Sequence, residues 1–176
     1  IEGNISHINV SRSGYVSVVM SNTSYKSIID VYDKTGKSIF KTNLVTSRVT
    51  DISISQDSKY LAIAEVDLSG IIISSKIQIV SMELAQTTPK EAIIYEYEAP
   101  NDRLLMNIEY QEQNRLICLY NDGIEMLQDK TNTQLIKFGE QKLSFMTIEL
   151  SNRIAVLEEV STGNYTADTK VRCIDP

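Results

Sequence analysis

Short runs of alternating apolar and polar residues dominate the chain, and this pattern is typical of β-strands that bury one face. In one clear example Ile52 and Ile54 alternate with Asp51, Ser53 and Ser55. Helical spacing of apolar residues is hard to find, and the one candidate stretch, 87–98, ends in a Tyr-Glu-Tyr-Glu alternation that favours a strand. Between the runs lie polar, turn-forming clusters, which occupy 12–14, 33–36, 56–58 and 121–123. The pattern predicts an all-β, antiparallel fold with short connections.

The strands recur as a repeat. A unit of apolar strand, polar turn and apolar strand appears four times, at 8–19, 52–64, 108–119 and 145–156. The second strands begin near Val16, Leu61, Leu116 and Ile154, in steps of 45, 55 and 38 residues that average 46. Within the second unit, Ala62 and Ala64 alternate with Leu61 and Ile63, and such small residues suit a face that packs against a neighbouring sheet.

A third strand follows each pair, and a fourth follows the first three units. The third strands are expected at 28–33, 76–81, 124–127 and 171–175, and the fourth at 38–44, 93–98 and 134–138. Four strands in about 40–50 residues is the repeat length of a β-propeller blade. We therefore predict four blades, at about 5–44, 49–98, 104–138 and 142–176, the last of them incomplete.

Two motifs carry a resemblance to a known superfamily. The run Ile-Ser-Ile-Ser-Gln-Asp-Ser-Lys-Tyr-Leu-Ala-Ile-Ala at 52–64 is similar to the S-x-D-G-x-x-L-A hairpin of WD40-type blades, and Val-Tyr-Asp-Lys-Thr-Gly-Lys-Ser-Ile-Phe at 31–40 is similar to their V-x-D-x-x-T-G-K strand ending. The chain thus resembles the WD40-like and quinoprotein-like β-propellers, and it is similar to propeller domains of Firmicute membrane-anchored proteins. It contains no Trp and no Gly-His start, so the hydrogen-bonded Asp-His-Ser-Trp cluster of true WD40 repeats is not formed.

The resemblance implies a larger assembly. Such rings generally have six to eight blades, so four blades, one lacking its outer strand, suggest about half a ring; a closed four-bladed ring is the alternative. The chain starts at Ile1 without Met and stops inside a predicted hairpin, so we expect it to be a piece of a longer polypeptide. The end faces of a half ring are apolar, and we expect a protein partner, a second copy of the chain or further blades to cover them.

Composition excludes several classes of partner. The net charge of -6 over 176 residues opposes binding to nucleic acid, which needs a basic face. No apolar run approaches the roughly 20 residues that span a bilayer, so we expect no direct membrane insertion by this segment. From the resemblance we expect an extracytoplasmic location on a bacterial membrane, with any anchor outside this chain.

The sequence offers little catalytic chemistry. Nucleophile-elbow and phosphate-loop motifs are absent, and two cysteines with one histidine, His7, cannot supply an ordinary zinc site. Cys118 and Cys173 each lie among apolar neighbours and are interpreted as small buried hydrophobes. The Asp67-Leu-Ser-Gly segment is interpreted as a turn rather than a cation site. We predict no catalytic residues, no metal and no cofactor; a quinone-dependent enzyme, which the resemblance allows, is opposed by the lack of Trp.

Four residues on connecting segments are candidates for binding: Tyr25, Arg48, Ile72 and Arg103. Tyr and Arg are common anchors of protein interfaces. Ile72 lies in the apolar run 71–73, which either forms an exposed partner-binding patch or extends a strand. The function we expect is a non-enzymatic module that binds a protein or cell-envelope partner through its rim loops. Two alternatives remain open: an enzyme or small-ligand binder that uses the central channel with residues on other blades, and a structural spacer.

Overall fold

The structure is a computed structural model that describes residues 3–100, 102–138, 142–148, 154–161 and 167–174, with side chains described up to residue 138. It is built of antiparallel sheets, three with four strands and one with three. Each sheet is formed by strands that are consecutive in the chain. The predicted all-β class and the four-stranded repeat are confirmed.

The strands of the four sheets follow one another along the chain. The first sheet contains β1 (Asn4–Val10), β2 (Val16–Ser21), β3 (Ser27–Tyr32) and β4 (Ser38–Leu44). The second contains β5 (Ser47–Ile54), β6 (Tyr60–Asp67), β7 (Ser74–Ser81) and β8 (Ile93–Glu98). The third contains β9 (Leu105–Tyr110), β10 (Leu116–Tyr120), β11 (Gly123–Gln128) and β12 (Thr131–Lys137), and the fourth β13 (Lys142–Ile148), β14 (Ile154–Ser161) and β15 (Ala167–Ile174).

The first strands of the sheets lie next to one another. β5 contacts both β1 and β9, and β9 also contacts β13. The sheets are therefore arranged radially, as blades whose first strands are innermost. Each first strand also carries one extra residue at the same point of its pairing with the second strand: Ser6, Thr50, Met106 and Ser144. A β-bulge that recurs in this way increases the local twist of each blade.

Alternation along β6 divides its side chains between two neighbouring blades. Leu61 and Ile63 are fully buried in the core shared with the first blade. Ala62 and Ala64 are fully buried against the third blade, in the core that contains Leu116. The expectation that these alanines face a neighbouring sheet is confirmed. A strand that is buried on both faces has no side in contact with water. Along β6, large and small apolar side chains therefore alternate, instead of apolar and polar ones.

Serine side chains join the blades at equivalent places. Ser27 Oγ accepts a hydrogen bond from Val49 N at 2.9 Å, and Ser75 Oγ accepts one from Leu105 N at 3.0 Å. The serine is the first residue of the third strand in one case and the second in the other, and the amide belongs to the first strand of the next blade. These bonds satisfy backbone N–H groups of an innermost strand that would otherwise be buried without a partner.

One helix, α1 (Met82–Thr87), lies between β7 and β8 and was not predicted. Ser81 is its N-cap, because Ser81 Oγ accepts a hydrogen bond from Leu84 N at 3.3 Å. Met82 and Ala85 pack into the core between the first and second blades. A serine suited to an N-cap was present in the sequence, but a helix of six residues is too short to show clear apolar periodicity. Among the described residues, no helix is long and apolar enough to cross a membrane.

Candidate functional site

The connections between strands lie at two opposite ends of the blades. We call one end the connection rim: there the second strand of a blade passes to the third, and the fourth passes to the next blade. It comprises segments 22–26, 45–46, 68–73, 99–104 and 121–122, with residue 101 outside the described residues. The other end, the hairpin rim, carries the turns that join first to second and third to fourth strands. Of the four residues predicted to bind a partner, Tyr25, Ile72 and Arg103 lie in these segments. Arg48 is the second residue of β5 and not part of a connection as expected, but it lies at the connection rim beside segment 45–46.

The connection rim exposes a group of aliphatic side chains. Ile71 is fully exposed, and Val45, Leu68 and Ile72 are 63%, 60% and 49% exposed. β7 begins only at Ser74, so Ile71, Ile72 and the next residue do not extend a strand, and that interpretation of the run was wrong. Contiguous exposed aliphatic residues on a soluble surface commonly mark an interaction site.

A cleft of about 340 Å³ lies between the first and second blades, and Val45 and Leu68 of this group line it. Val66 is 3% exposed and is one of the residues that line it. Lys26 and Arg48 also line the cleft, and both are exposed. Neither cation has an ion pair within the described part of the chain. The cleft therefore combines aliphatic contact with two available positive charges.

Asp67 fixes the connection that bears the exposed residues. One of its carboxylate oxygens, Oδ1, accepts hydrogen bonds from Ser69 N at 2.8 Å and Ser69 Oγ at 2.6 Å, and the other accepts one from Thr46 Oγ1 at 2.7 Å. The hydroxyl and amide of Ser69, with the hydroxyl of Thr46, hold the pKa of Asp67 below its usual range. The prediction that this segment is a turn is confirmed, and among the described residues no cluster of three or more His, Cys, Asp or Glu could hold a metal ion.

Tyr25 and Arg103 lie on the same rim but are engaged within their own blades. Tyr25 is half-buried and packs against the apolar cluster that contains Met20. The guanidinium of Arg103 lies 2.7 Å from Asp122 Oδ1 and 2.5 Å from Glu125 Oε1, and it stacks 4.0 Å from the centroid of the Tyr120 ring.

Two carboxylates occupy Arg103, so it differs from Arg48 as a candidate. Burial disfavours its charge, but the hydrogen bonds to Asp122 and Glu125 outweigh burial and raise the pKa of Arg103. A side chain that is 12% exposed and already paired would leave two carboxylates without their partner if it turned outward. Arg103 thus closes the end of the third blade, whereas Arg48 and Ile72 face solvent. Tyr25 and Arg103 illustrate that a residue type suited to interfaces also serves inside a fold.

A row of polar residues follows the innermost strands, where a channel-binding protein would hold its ligand. His7, Asp51 and Asn107 each come directly after the repeated bulge in their blades. Asn107 Nδ2 donates to Asp51 Oδ2, which also accepts from Ile108 N at 2.9 Å. The backbone of Ile52 donates to the other carboxylate oxygen. Both oxygens of Asp51 accept hydrogen bonds from neighbouring groups, so this carboxylate joins the second blade to the third.

Cys118 is the cysteine whose side chain the structure describes, and it has no reactive role. Cys118 is fully buried and free, and burial raises the pKa of its thiol well above the usual range. A buried neutral thiol is a poor nucleophile, so the interpretation of Cys118 as a small hydrophobe is confirmed. The side chain of Cys173 lies outside the described residues.

Radial blades of four antiparallel strands with innermost first strands define the class: a β-propeller fold. Solved structures agree. The propeller domain of the trilobed protease from Pyrococcus furiosus superposes with a TM-score of 0.62 and 18% identity, over 98% of this chain and 55% of that one. The dihydro-heme d1 dehydrogenase NirN gives 0.61 at 8% identity, over 94% and 36% of the two chains. The extracellular domain of a proposed one component system from B. thetaiotaomicron gives 0.56 at 9% identity, over 97% and 21%.

The chain belongs to a family of unknown function, DUF5711, whose model matches residues 1–167. No curated protein matches it. The chain spans less than two thirds of each of the solved structures named above. At 8–18% identity the likeness establishes the fold, and function must be argued from the sites of this chain.

Proposed function

We propose that this chain is a non-enzymatic interaction module that binds a protein partner through its connection rim. The observation that carries the proposal is the group of exposed aliphatic residues at a rim whose cleft holds two cations without an ion pair to any described residue. Val45 and Leu68 line the cleft together with Lys26 and Arg48, and Ile71 and Ile72 are exposed in the same connection as Leu68. Exposing such residues costs free energy in water, and contact with a partner recovers it.

The partner we propose is a protein segment that carries aliphatic side chains next to an Asp or Glu. The aliphatic groups would cover Leu68, Ile71 and Ile72, while the carboxylate would pair with Arg48 or Lys26. Charge complementarity of this kind speeds association and selects the partner. The chain has an overall charge of -6, so the rest of its surface would repel an acidic partner. Such a partner would therefore bind at this cleft, where the two cations lie.

Selection from a library of displayed random peptides tests this proposal. We expect peptides enriched on the wild-type chain to share aliphatic residues with a neighbouring Asp or Glu. Ile72→Asp and Arg48→Glu are each expected to weaken binding of those peptides by about tenfold, as for residues at the centre of an interface. Lys90→Glu is the matched control, because it makes the same charge change at an exposed residue of the 3₁₀ segment Pro89–Glu91, away from the connection rim.

Two results would overturn the proposal. The first is a set of enriched peptides that binds the Ile72→Asp variant as tightly as the wild type. The second is enrichment of basic peptides, or of none, on a chain whose circular dichroism shows the native sheet. Loss of binding in the Lys90→Glu control to the same extent would also contradict it, because the effect would then be general electrostatics.

We further propose that the module acts outside the cytoplasm, on a bacterial membrane-anchored protein. The proposal is supported by the extracellular domain among the structurally similar propellers and by the resemblance to Firmicute membrane-anchored propellers. Protease treatment of intact cells tests it, since we expect the native protein to be cleaved without lysis. Protection until lysis would contradict this location.

A further inference from the structure

The hairpin rim carries a second cavity, of about 250 Å³, at the outer end of the interface between the second and third blades. Its walls include three tyrosines, Tyr60, Tyr95 and Tyr110, from three different strands or strand ends. This cavity lies on the end of the blades opposite to the connection rim. Its ligand is therefore independent of the function proposed above.

The cavity is open because the third blade lacks a segment that the second blade has. In the second blade, β7 and β8 are joined by α1, which packs against β4 of the first blade. In the third blade, β11 and β12 are joined by a turn of two residues, Asp129 and Lys130. The short turn leaves the aromatic wall uncovered.

Two turns with positive φ lie at the mouth of the cavity. Gln113 and Asn114 have φ of 59° and 56°, and Asp129 and Lys130 have φ of 49° and 63°. These are four of the six non-glycine residues with positive φ among the described residues. Positive φ at both Asp129 and Lys130 is what a favoured two-residue hairpin turn requires. Positive φ at Gln113 and Asn114 is uncommon outside glycine and is enriched at ligand sites. Here all four line the cavity.

The turn of Asp129 is fixed against the aromatic wall. Tyr95 Oη donates a hydrogen bond to Lys130 O at 3.4 Å, and Lys130 Nζ lies 5.8 Å from the centroid of the Tyr95 ring. Asn114 Nδ2 donates to Asp57 Oδ2 of the second blade at 3.3 Å. The two blades thus hold the wall and the mouth in one arrangement, and a site that is already formed loses little entropy when it binds.

The chemistry of these walls matches one class of ligand. Aromatic faces pack against the apolar C–H face of a sugar ring, and the amides of Gln113 and Asn114 can bind hydroxyls at its edge. Asp129 and Lys130 carry opposite charges that balance, which suits a neutral ligand. The cavity is smaller than the roughly 300–1,000 Å³ of sites for drug-sized ligands, so it has room for one ring.

We infer that this cavity is a binding site for a single neutral pyranose, such as one sugar unit of a glycan. Tyr95 is the residue whose loss should matter most, since its ring lies on the outer strand β8 and forms the wall next to Lys130. Removal of the ring should weaken binding strongly, whereas removal of its hydroxyl alone loses only the long hydrogen bond to Lys130 O, at 3.4 Å, and should have a small effect.

Titration of the ¹⁵N-labelled chain, followed by amide chemical shifts, tests the inference with methyl β-glucoside and N-acetylglucosamine as probes. We expect saturable shifts at Asn114 and Lys130 with at least one sugar. Tyr95→Ala should weaken that binding by about tenfold, and Tyr95→Phe should keep it within about twofold. Lys130→Gly is a second variant, because glycine accepts the positive φ at this position while the contact of Lys130 with the ring is lost; we expect weakening by about threefold or more.

Sorbitol and phenol are the controls for specificity. Sorbitol offers hydroxyls without a ring, and equal shifts with sorbitol would overturn the inference. Saturable binding of phenol without binding of either sugar would assign the cavity to an aromatic side chain, which also overturns it. The same holds if neither sugar gives saturable shifts, or if Tyr95→Ala and Lys130→Gly fold with native spectra and bind the sugar like the wild type.

Discussion

Single side chains hold neighbouring blades together at their innermost strands. Asp51 of β5 accepts hydrogen bonds from Ile108 N and Asn107 Nδ2 of β9, and Ser53 Oγ accepts one from Tyr110 N at 3.0 Å. Adjacent innermost strands thus share hydrogen bonds although they belong to different sheets. The cost is a carboxylate that is largely removed from water.

That cost makes the role of Asp51 dependent on pH. Burial raises the pKa of Asp51, an effect that outweighs the hydrogen bonds of Ile108 and Ile52 and the charge of His7. The native state therefore keeps the proton of Asp51 to higher pH than the unfolded state does. As pH rises from about 4 through the folded pKa, the free energy of unfolding of the wild type should fall relative to that of Asp51→Asn. This change in relative stability corresponds to the release of at most one proton.

Urea unfolding of both proteins between pH 4 and 7 measures this difference, and the other carboxylates cancel because they are common to both. Asp33→Asn is the control of opposite sign. Hydrogen bonding by Thr35, above all by its hydroxyl, lowers the pKa of the exposed Asp33. The wild type should therefore become more stable relative to Asp33→Asn as pH rises. A pH-independent difference for Asp51→Asn would contradict the argument.

Elements are specified by turns as much as by strands. The hairpin of β1 and β2 turns through Gly14, with φ of 87°, and the hairpin of β3 and β4 through Gly36, with φ of 82°. Asp33 Oδ1 accepts hydrogen bonds from the amides of Thr35 and Lys37, and the turn lies at the cluster 33–36, where it was predicted. Turn chemistry is local, and for this reason it could be recognised without the tertiary structure.

Gly123 supports a prediction at the scale of a strand pair. A Cβ at this position would lie 2.3 Å from Ile136 O, because β12 crosses closely where it pairs with β11. Gly123→Ala must displace backbone, so we expect it to lower the free energy of unfolding by about 1–3 kcal/mol. Urea denaturation measures this.

Gly70→Ala is the matched control for that experiment. Its Cβ would meet nothing closer than 3.6 Å, and the position lies in an exposed connection. We expect a change of less than about 1 kcal/mol in either direction. If the two substitutions lower the free energy of unfolding equally, the close approach of β12 is not the reason that position 123 requires glycine.

In the whole molecule, one face of the sheet that forms the first blade is apolar and exposed to solvent. Ile8 and Val10 of β1 are 60% and 63% exposed, and they pair with Val18 and Val16 on the same face of the sheet. In a propeller such a face packs against another blade. We expect a second copy of the chain, or further blades, to cover it.

Light scattering over a range of concentrations tests that expectation. The wild-type chain should show a mass that rises with concentration towards that of a dimer, and Ile8→Asp should remain monomeric, because a charge cannot be buried in an apolar contact without a large cost. Lys90→Glu should behave like the wild type. A wild-type chain that stays monomeric at high concentration would argue against association through this face.

The positions of the strands could be predicted closely from the sequence. Alternating apolar runs mark the strands and turn residues mark their ends, and both signals are local. β2, β10 and β14 begin at Val16, Leu116 and Ile154, where they were expected, and β6 begins at Tyr60, one residue before the expected start. The helix α1 and the repeated bulge were missed, since six residues or one extra residue leave no periodic signal.

The fold class and the repeat follow from the amino-acid sequence alone, because alternation and turn residues act over a few neighbouring positions. Which side chains are available to a partner depends on how the blades pack. Arg48 and Arg103 are the same residue type on the same rim, yet Arg48 faces solvent and Arg103 is held by Asp122 and Glu125. The tyrosine cavity likewise arises only when β8, the start of β6 and the end of β9 meet. Contacts between residues 19–50 positions apart depend on how blades pack, and one-dimensional patterns do not contain that information.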